Sequence, residues 1–101
     1  MLEIVAADDD PRGLELSGEL DLATTPALIE RAAPLAEDDG DLSLDLSGVR
    51  FIDSQGIRGF IRIAHALEGR GRLRLVRPSE EIRKLFEIVR VDDFPNITVE
   101  A

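Results

Sequence analysis

This sequence predicts an α/β domain: a mixed sheet of four to five strands opened by an N-terminal hairpin, with helices mostly on one face. Three observations lead there. Strand-like and helix-like segments alternate at short intervals along the 101 residues. The strand-like segments at 14–17, 42–47 and 72–75 alternate leucine with polar residues, the pattern of a sheet with one buried and one wet face. A parallel sheet covered on both faces would instead show unbroken apolar runs. No repeat or linker divides the chain, and its length suits a single domain over residues 1–101.

The elements follow in order. Leu2, Ile4 and Ala6 alternate with Glu3 and Val5 as a first strand. Asp8-Asp9-Asp10-Pro11-Arg12-Gly13 is a turn cluster. Leu14 and Leu16, extending towards Gly18, alternate with Glu15 and Ser17 as a second strand, so the pair reads as a hairpin. Thr25 is the expected N-cap of a helix, with Pro26 at its first position and Ala27, Leu28, Ala32 and Leu35 at helical spacing. Pro34 is expected to shorten or kink it.

Leu42, Leu44 and Leu46 alternate with Ser43, Asp45 and Ser47, the clearest strand in the chain. Ser47-Gly48-Val49-Arg50 reads as a turn before Phe51-Ile52-Asp53-Ser54. A second helix carries Ile57, Phe60, Ile61, Ala64 and Leu67 on one face and closes at Gly69-Arg70-Gly71. Leu73 and Leu75 alternate with Arg72 and Arg74. Pro78-Ser79 opens a third helix with Ile82, Leu85, Phe86 and Val89 on one side, and Ile97-Thr98-Val99 completes a fifth strand if it pairs. Strands separated by helices should be parallel with right-handed crossovers. Acids on the earlier strands are expected to pair with Arg72 and Arg74 across the ladder, at ~0.2–1 kcal/mol each.

Composition narrows the function. With no Cys there is no disulfide, Cys-ligated zinc or thiol nucleophile, and the single His65 excludes a multi-His metal site. Four Phe with no Trp or Tyr are too few for a base-stacking platform. Residues 1–50 hold 13 acids and 3 bases, whereas residues 51–101 hold 8 acids and 9 bases. A net charge of −9 disfavours direct nucleic-acid binding and suits a protein partner that carries basic residues. MLEIVAADDD lacks the basic and apolar regions of a signal peptide, and no stretch approaches the roughly 18–20 apolar residues of a membrane span. The expectation is a cytoplasmic protein without membrane insertion.

In open sheets with parallel strands, function gathers at the carboxyl ends of the strands. Two loops should meet there, Gly18-Glu19-Leu20-Asp21 and Asp53-Ser54-Gln55-Gly56. Ser54 sits where a helix N-cap belongs, an ordinary place for a serine. A phosphate there would set about −1.5 to −2 charges at the positive end of a helix dipole, beside Glu19, Asp21 and Asp53. Arg58, one turn further on, could reach back to it. Arg58, Arg62 and His65 form a polar stripe, and no Ser-His-Asp constellation or phosphate-loop motif is present.

Leu44-Asp45-Leu46-Ser47-Gly48-Val49-Arg50-Phe51-Ile52-Asp53-Ser54-Gln55-Gly56-Ile57 resembles the STAS domain family, whose hallmark is an apolar strand, a short turn and Asp-Ser-small-Gly-Leu opening a helix. Ser17-Gly18-Glu19-Leu20-Asp21 resembles the family's second landmark, and Leu73–Phe86 its last strand and helix. The resemblance covers nearly the whole chain and implies a STAS-like two-layer fold and a non-enzymatic anti-sigma factor antagonist. In that family an anti-sigma factor, also a serine kinase using ATP and magnesium, binds the unphosphorylated antagonist and phosphorylates the Ser that matches Ser54. A phosphatase restores it. The antagonist needs no cofactor of its own.

Carried over, Ser54 is the phosphoacceptor, and Glu19, Asp21, Asp53, Gln55, Gly56 and Arg58 form the partner-binding face. Gln55 and Arg58 depart from the small residues usual in the family. They leave open a branch that docks without a phosphate cycle, as a non-catalytic subunit of a lipid-transport complex or a stress-sensing scaffold. A small hydrolase or nucleotide-binding protein using Asp21, Asp53 and Ser54 is disfavoured, because no general base near neutral pKa accompanies them.

Overall fold

The computed structural model describes residues 1–101. The elements are β1 (Leu2–Ala6), β2 (Gly13–Leu20), α1 (Thr25–Ala36), β3 (Leu42–Ile52), α2 (Ser54–Leu67), β4 (Leu73–Val76), α3 (Glu80–Val89), a 3-10 turn at Val91–Asp93, and β5 (Ile97–Glu100). The sheet has the order β1-β2-β3-β4-β5, with β1 antiparallel to β2 and every later pair parallel. Each parallel crossover therefore steps one place in the same direction. With right-handed crossovers this puts α1, α2 and α3 on one face.

That face is the core. Leu14 and Leu16, then Leu42, Leu44 and Leu46, then Leu73, Leu75 and Ile97 are buried beneath Leu28, Ala32, Phe60, Ala64, Leu67, Ile82 and Phe86 of the helices. Phe60 and Phe86 meet edge to face, with ring centroids 6.1 Å apart, and tie α2 to α3. Ile63 is also buried, although it lies off the stripe read from the sequence. It lines a small recess between α2 and α1 together with Ile29 and Ala32.

Several expectations are corrected. Ser47–Arg50 is not a turn: β3 runs through it to Ile52. Its register with β2 slips twice, so that Glu15 faces Asp45 and Ser17 faces Gly48, then Gly18 faces Val49 and Glu19 faces Phe51. Each slip adds a residue to β3, so Leu46, Val49 and Ile52 stay buried at intervals of three instead of two. Gly48 permits the first slip, since a Cβ there would lie 2.7 Å from Ser17 Cβ. Pro34 does not shorten α1; it lies on an exposed side, and so does Glu30, whose carbonyl it cannot bond.

The polar face also differs from the expected ladder. Register places Ser43, not an acid, opposite Arg74, and Val76 opposite Asp45. Arg74 instead grips Glu100 of β5 through two 2.8 Å hydrogen bonds. Arg77, just past β4, pairs with Asp45 at 2.6 Å. Burial pushes the Asp45 carboxyl up, but hydrogen bonds from Arg77 and the Ser47 amide outweigh it and leave the pKa below the usual range. Arg72 precedes β4 and makes no ion pair.

Two arginines close the opposite end of the molecule. Arg12 donates to the carbonyls of Leu35, Asp38, Gly40 and Asp41. Arg70 donates to those of Ala36 and Ala66. Arg12 thus ties the last turn of α1 to the loop that follows it, and Arg70 joins the ends of α1 and α2, both near the negative poles of the helices.

Candidate functional site

The carboxyl ends of β2 and β3 lie side by side, and the Asp53 amide donates to the Leu20 carbonyl at 3.1 Å. This bond brings the two predicted loops together. In the first loop, Asp21 Oδ1 accepts from the amides of Ala23 and Thr24 and from the Thr24 hydroxyl, all at 3.0–3.1 Å. The single Thr24 hydroxyl proton is shared with the Glu19 carbonyl, which lies closer, at 2.8 Å. The N-cap of α1 is thus Thr24, not Thr25 as expected, and its side chain serves the preceding loop rather than the helix. Thr25 is 5% exposed, and its hydroxyl has no partner.

In the second loop the cap is Asp53, not Ser54. Asp53 Oδ1 accepts from the amides of Gln55 at 2.8 Å and Gly56 at 3.2 Å. The carboxylate also meets the positive pole of the helix dipole with charge. Ser54 becomes the first residue of α2, exposed to solvent.

The other predicted residues divide. Gln55 and Arg58 stand on the open side of the first turns of α2. Gly56 is buried, where a Cβ would sit 2.8 Å from Ile52 Cγ2 and 3.0 Å from Leu20 Cβ, so it sets how closely α2 approaches the strand ends. Glu19 lies within β2 and is engaged: Arg50 and the α-amino group of Met1 both hold its carboxylate. The Arg50 hydrogen bond, then that of the amine, lower its pKa to about 2. His65 lies eleven residues beyond Ser54 on α2, about 16 Å along the helix axis, beside Glu68 at 3.3 Å. It cannot activate the Ser54 hydroxyl from there.

A second feature was not legible as a site. Between α1 and α2, next to Ser54, runs an open groove of about 430 Å³ lined by Leu22, Pro26 and Ile29 on one side and Gln55, Arg58 and Arg62 on the other. Gly59 forms part of its floor, where a Cβ would come within 2.5 Å of Thr25 Cγ2. The one available signal was Leu22, a leucine in a loop outside both the two-residue and the 3.6-residue patterns. It is 71% exposed.

A five-stranded mixed sheet with three helices on one face, and an Asp-capped serine opening α2 at its carboxyl edge, defines the class. The chain belongs to the STAS domain family: residues 4–99 match the family described as "Mlab, STAS domain". Among individual proteins, it is 32% identical over 89 residues to the anti-sigma-B factor antagonist of Bacillus subtilis (strain 168), covering 87% of this chain and 82% of that one. It is 31% identical over 86 residues to the anti-sigma-B factor antagonist of Staphylococcus aureus (strain NCTC 8325 / PS 47), covering 83% and 80%. Its fold matches the anti-sigma factor antagonist SpoIIAA in its unphosphorylated form, with a TM-score of 0.75 at 18% identity over 98% of this chain and 89% of that one. It also matches an anti-sigma factor antagonist from Mycobacterium paratuberculosis, with a TM-score of 0.80 at 24% identity over 96% and 85%. No helix is long and apolar enough to cross a membrane.

Proposed function

We propose that this chain is a non-enzymatic anti-sigma factor antagonist of the cytoplasm, switched at Ser54. In the unphosphorylated state its Ser54 edge binds an anti-sigma factor that is also a serine kinase. Phosphorylation of Ser54 ends the interaction, and a phosphatase restores the hydroxyl. The relatives named as anti-sigma-B factor antagonists support the role. The observation that carries the switch is an exposed serine at the first position of α2, immediately after a cap that has already taken the helix amides.

The electrostatics follow from that cap. Asp53 holds the Gln55 and Gly56 amides, so a phosphate on Ser54 projects outward instead of folding into the helix end. It adds about −1.5 to −2 charges next to Asp53 and close to Asp21. The fold is little changed, while the face a partner sees becomes strongly anionic. The kinase brings the nucleotide and the metal; this chain brings the hydroxyl.

The test is to incubate the chain with an anti-sigma kinase, ATP and magnesium and to measure its intact mass. Wild type should gain one phosphate and Ser54→Ala none. Ser54→Asp should bind the anti-sigma factor at least about tenfold more weakly, roughly 1.4 kcal/mol. Unmodified wild type, or Ser54→Asp of undiminished affinity, would refute the switch. Binding without modification would favour a second reading: a non-catalytic subunit docking by the same edge in a larger assembly, such as a lipid-transport complex or a stress-sensing scaffold.

A further inference from the structure

We infer that the groove between α1 and α2 holds an acidic and apolar segment of the protein partner, with an apolar side chain seated against Leu22, Pro26 and Ile29 and flanking carboxylates paired with Arg58 and Arg62. The inference rests on reading the Ser54 edge as a protein-binding face, and it names what that face selects.

Charge complementarity carries it. The net charge of −9 suits a partner with basic residues overall, but this groove is a local exception. Most arginines are engaged, and of the four that are not, Arg58 and Arg62 share the groove while Arg72 and Arg83 lie outside it. Arg50, Arg74, Arg77 and Arg90 pair with carboxylates. Arg12 and Arg70 cap helix carbonyls, and Arg31 donates to the Ile4 carbonyl. Arg58 and Arg62 are exposed, make no ion pair or hydrogen bond, and stand one turn apart on the same wall of one groove. Side chains four apart on a helix share a face, so their guanidinium groups address the same ligand.

The α1 wall agrees. The first turn of α1 contains no acid, and the Asp21 carboxylate before it is turned to the amides of Ala23 and Thr24 and is absent from the groove lining. Glu30 is the single carboxylate in the lining, and it belongs to the α1 wall. It directs a partner's carboxylates towards α2. The apolar half is equally specific: Leu22 is 71% exposed beside Pro26 and Ile29. A small free anion would use the arginines and leave this apolar rim in water. A purely apolar ligand would leave the arginines unused.

The groove reaches Gln55, the neighbour of Ser54. A segment lying in it carries its acids towards the phosphorylation position, so a phosphate there would compete with those acids for Arg58.

The test uses the full ¹⁵N-labelled chain and three probes: a short synthetic peptide with glutamates flanking leucine, its counterpart with lysines for the glutamates, and inorganic phosphate. The glutamate peptide should shift the amides of Leu22, Ile29, Gln55 and Gly59. The lysine peptide and phosphate should not, and Arg58→Glu/Arg62→Glu should reverse the peptide preference with an unchanged melting temperature. Equal shifts by both peptides, the same shifts from phosphate alone, or shifts elsewhere, as at Ile88, would overturn the inference. In a parallel titration with an anti-sigma kinase, the double variant should bind at least about tenfold more weakly than wild type. Wild type that ignores the kinase but still distinguishes the peptides would refute the kinase reading and uphold the groove.

Discussion

Gly59→Ala sets two established effects against each other. In the interior of a helix this change removes the backbone entropy penalty of glycine and should stabilise by about 1 kcal/mol. At Gly59, however, the new Cβ lies 2.5 Å from Thr25 Cγ2. Thr25 is β-branched and 5% exposed, so it has two helical rotamers at most and little free space into which its methyl group can turn. The helices must separate instead, and overpacking of this kind costs about 1–3 kcal/mol. The expected net effect is destabilisation by about 1 kcal/mol, a fall in Tm of roughly 4–8 °C for a domain of this size. Thr25→Ser deletes the clashing methyl and keeps the hydroxyl. In Thr25→Ser/Gly59→Ala the alanine methyl occupies the vacated place, so packing is retained and the helix-propensity gain is recovered. The double variant should match or exceed wild type, with a coupling energy of about 1–3 kcal/mol between the two sites. Thermal and urea unfolding of the four proteins measures the cycle. A Gly59→Ala protein that melts above wild type, or additive changes, would falsify the reasoning.

Three further outcomes follow from contacts at the two ends of the sheet. Asp53→Ala should lose the α2 cap and about 1 kcal/mol in urea unfolding, whereas Ser54→Ala, exposed at the first helical position, should leave stability within error. Glu19 should titrate with a midpoint of about 2 in an NMR pH series, against the usual 4.5. Because its folded pKa is depressed, its stabilising effect is present above the unfolded value and lost as pH falls through the folded one; Arg50→Ala should raise both the midpoint and the pH of acid unfolding. Arg12→Ala should strip the carbonyls of Leu35, Asp38, Gly40 and Asp41 of their donor, cost about 2 kcal/mol and speed amide exchange after α1. Arg12→Lys should recover only part of this, since one ammonium cannot span the fork.

The buried sides of β2, β3 and β4 were legible because strict alternation leaves one face apolar. The phase of β3 beyond Leu46 was not: Ser47 and Gly48 have turn chemistry, and only pairing with β2 turns them into a bulge. The entries of α1 and α2 each offered two competent caps in a row, Thr24 beside Thr25 and Asp53 beside Ser54, and bonds from Thr24 to the Glu19 carbonyl and from the Asp53 amide to the Leu20 carbonyl go with the choice. Arg74 could be placed on the wet face, but its partner Glu100 depends on β5 being its neighbour, which no local pattern states. Ile63 and the α1–α2 groove belong to a helix–helix contact, and periodicity reports which face is apolar without saying what covers it. Ser54 at the carboxyl edge was readable because the motif and the strand-to-helix order locate the same loop.

The arrangement β1-β2-β3-β4-β5 has a consequence for how the molecule is made. A chain emerging from the ribosome in this order lays each new strand on the outermost one already present, and no late strand has to wedge between two earlier neighbours. Each helix lies between the two strands it joins in the chain, so it is held in place once the second of them has paired. The long-range pairing that slows many sheet proteins is thereby divided into successive short closures between neighbouring strands.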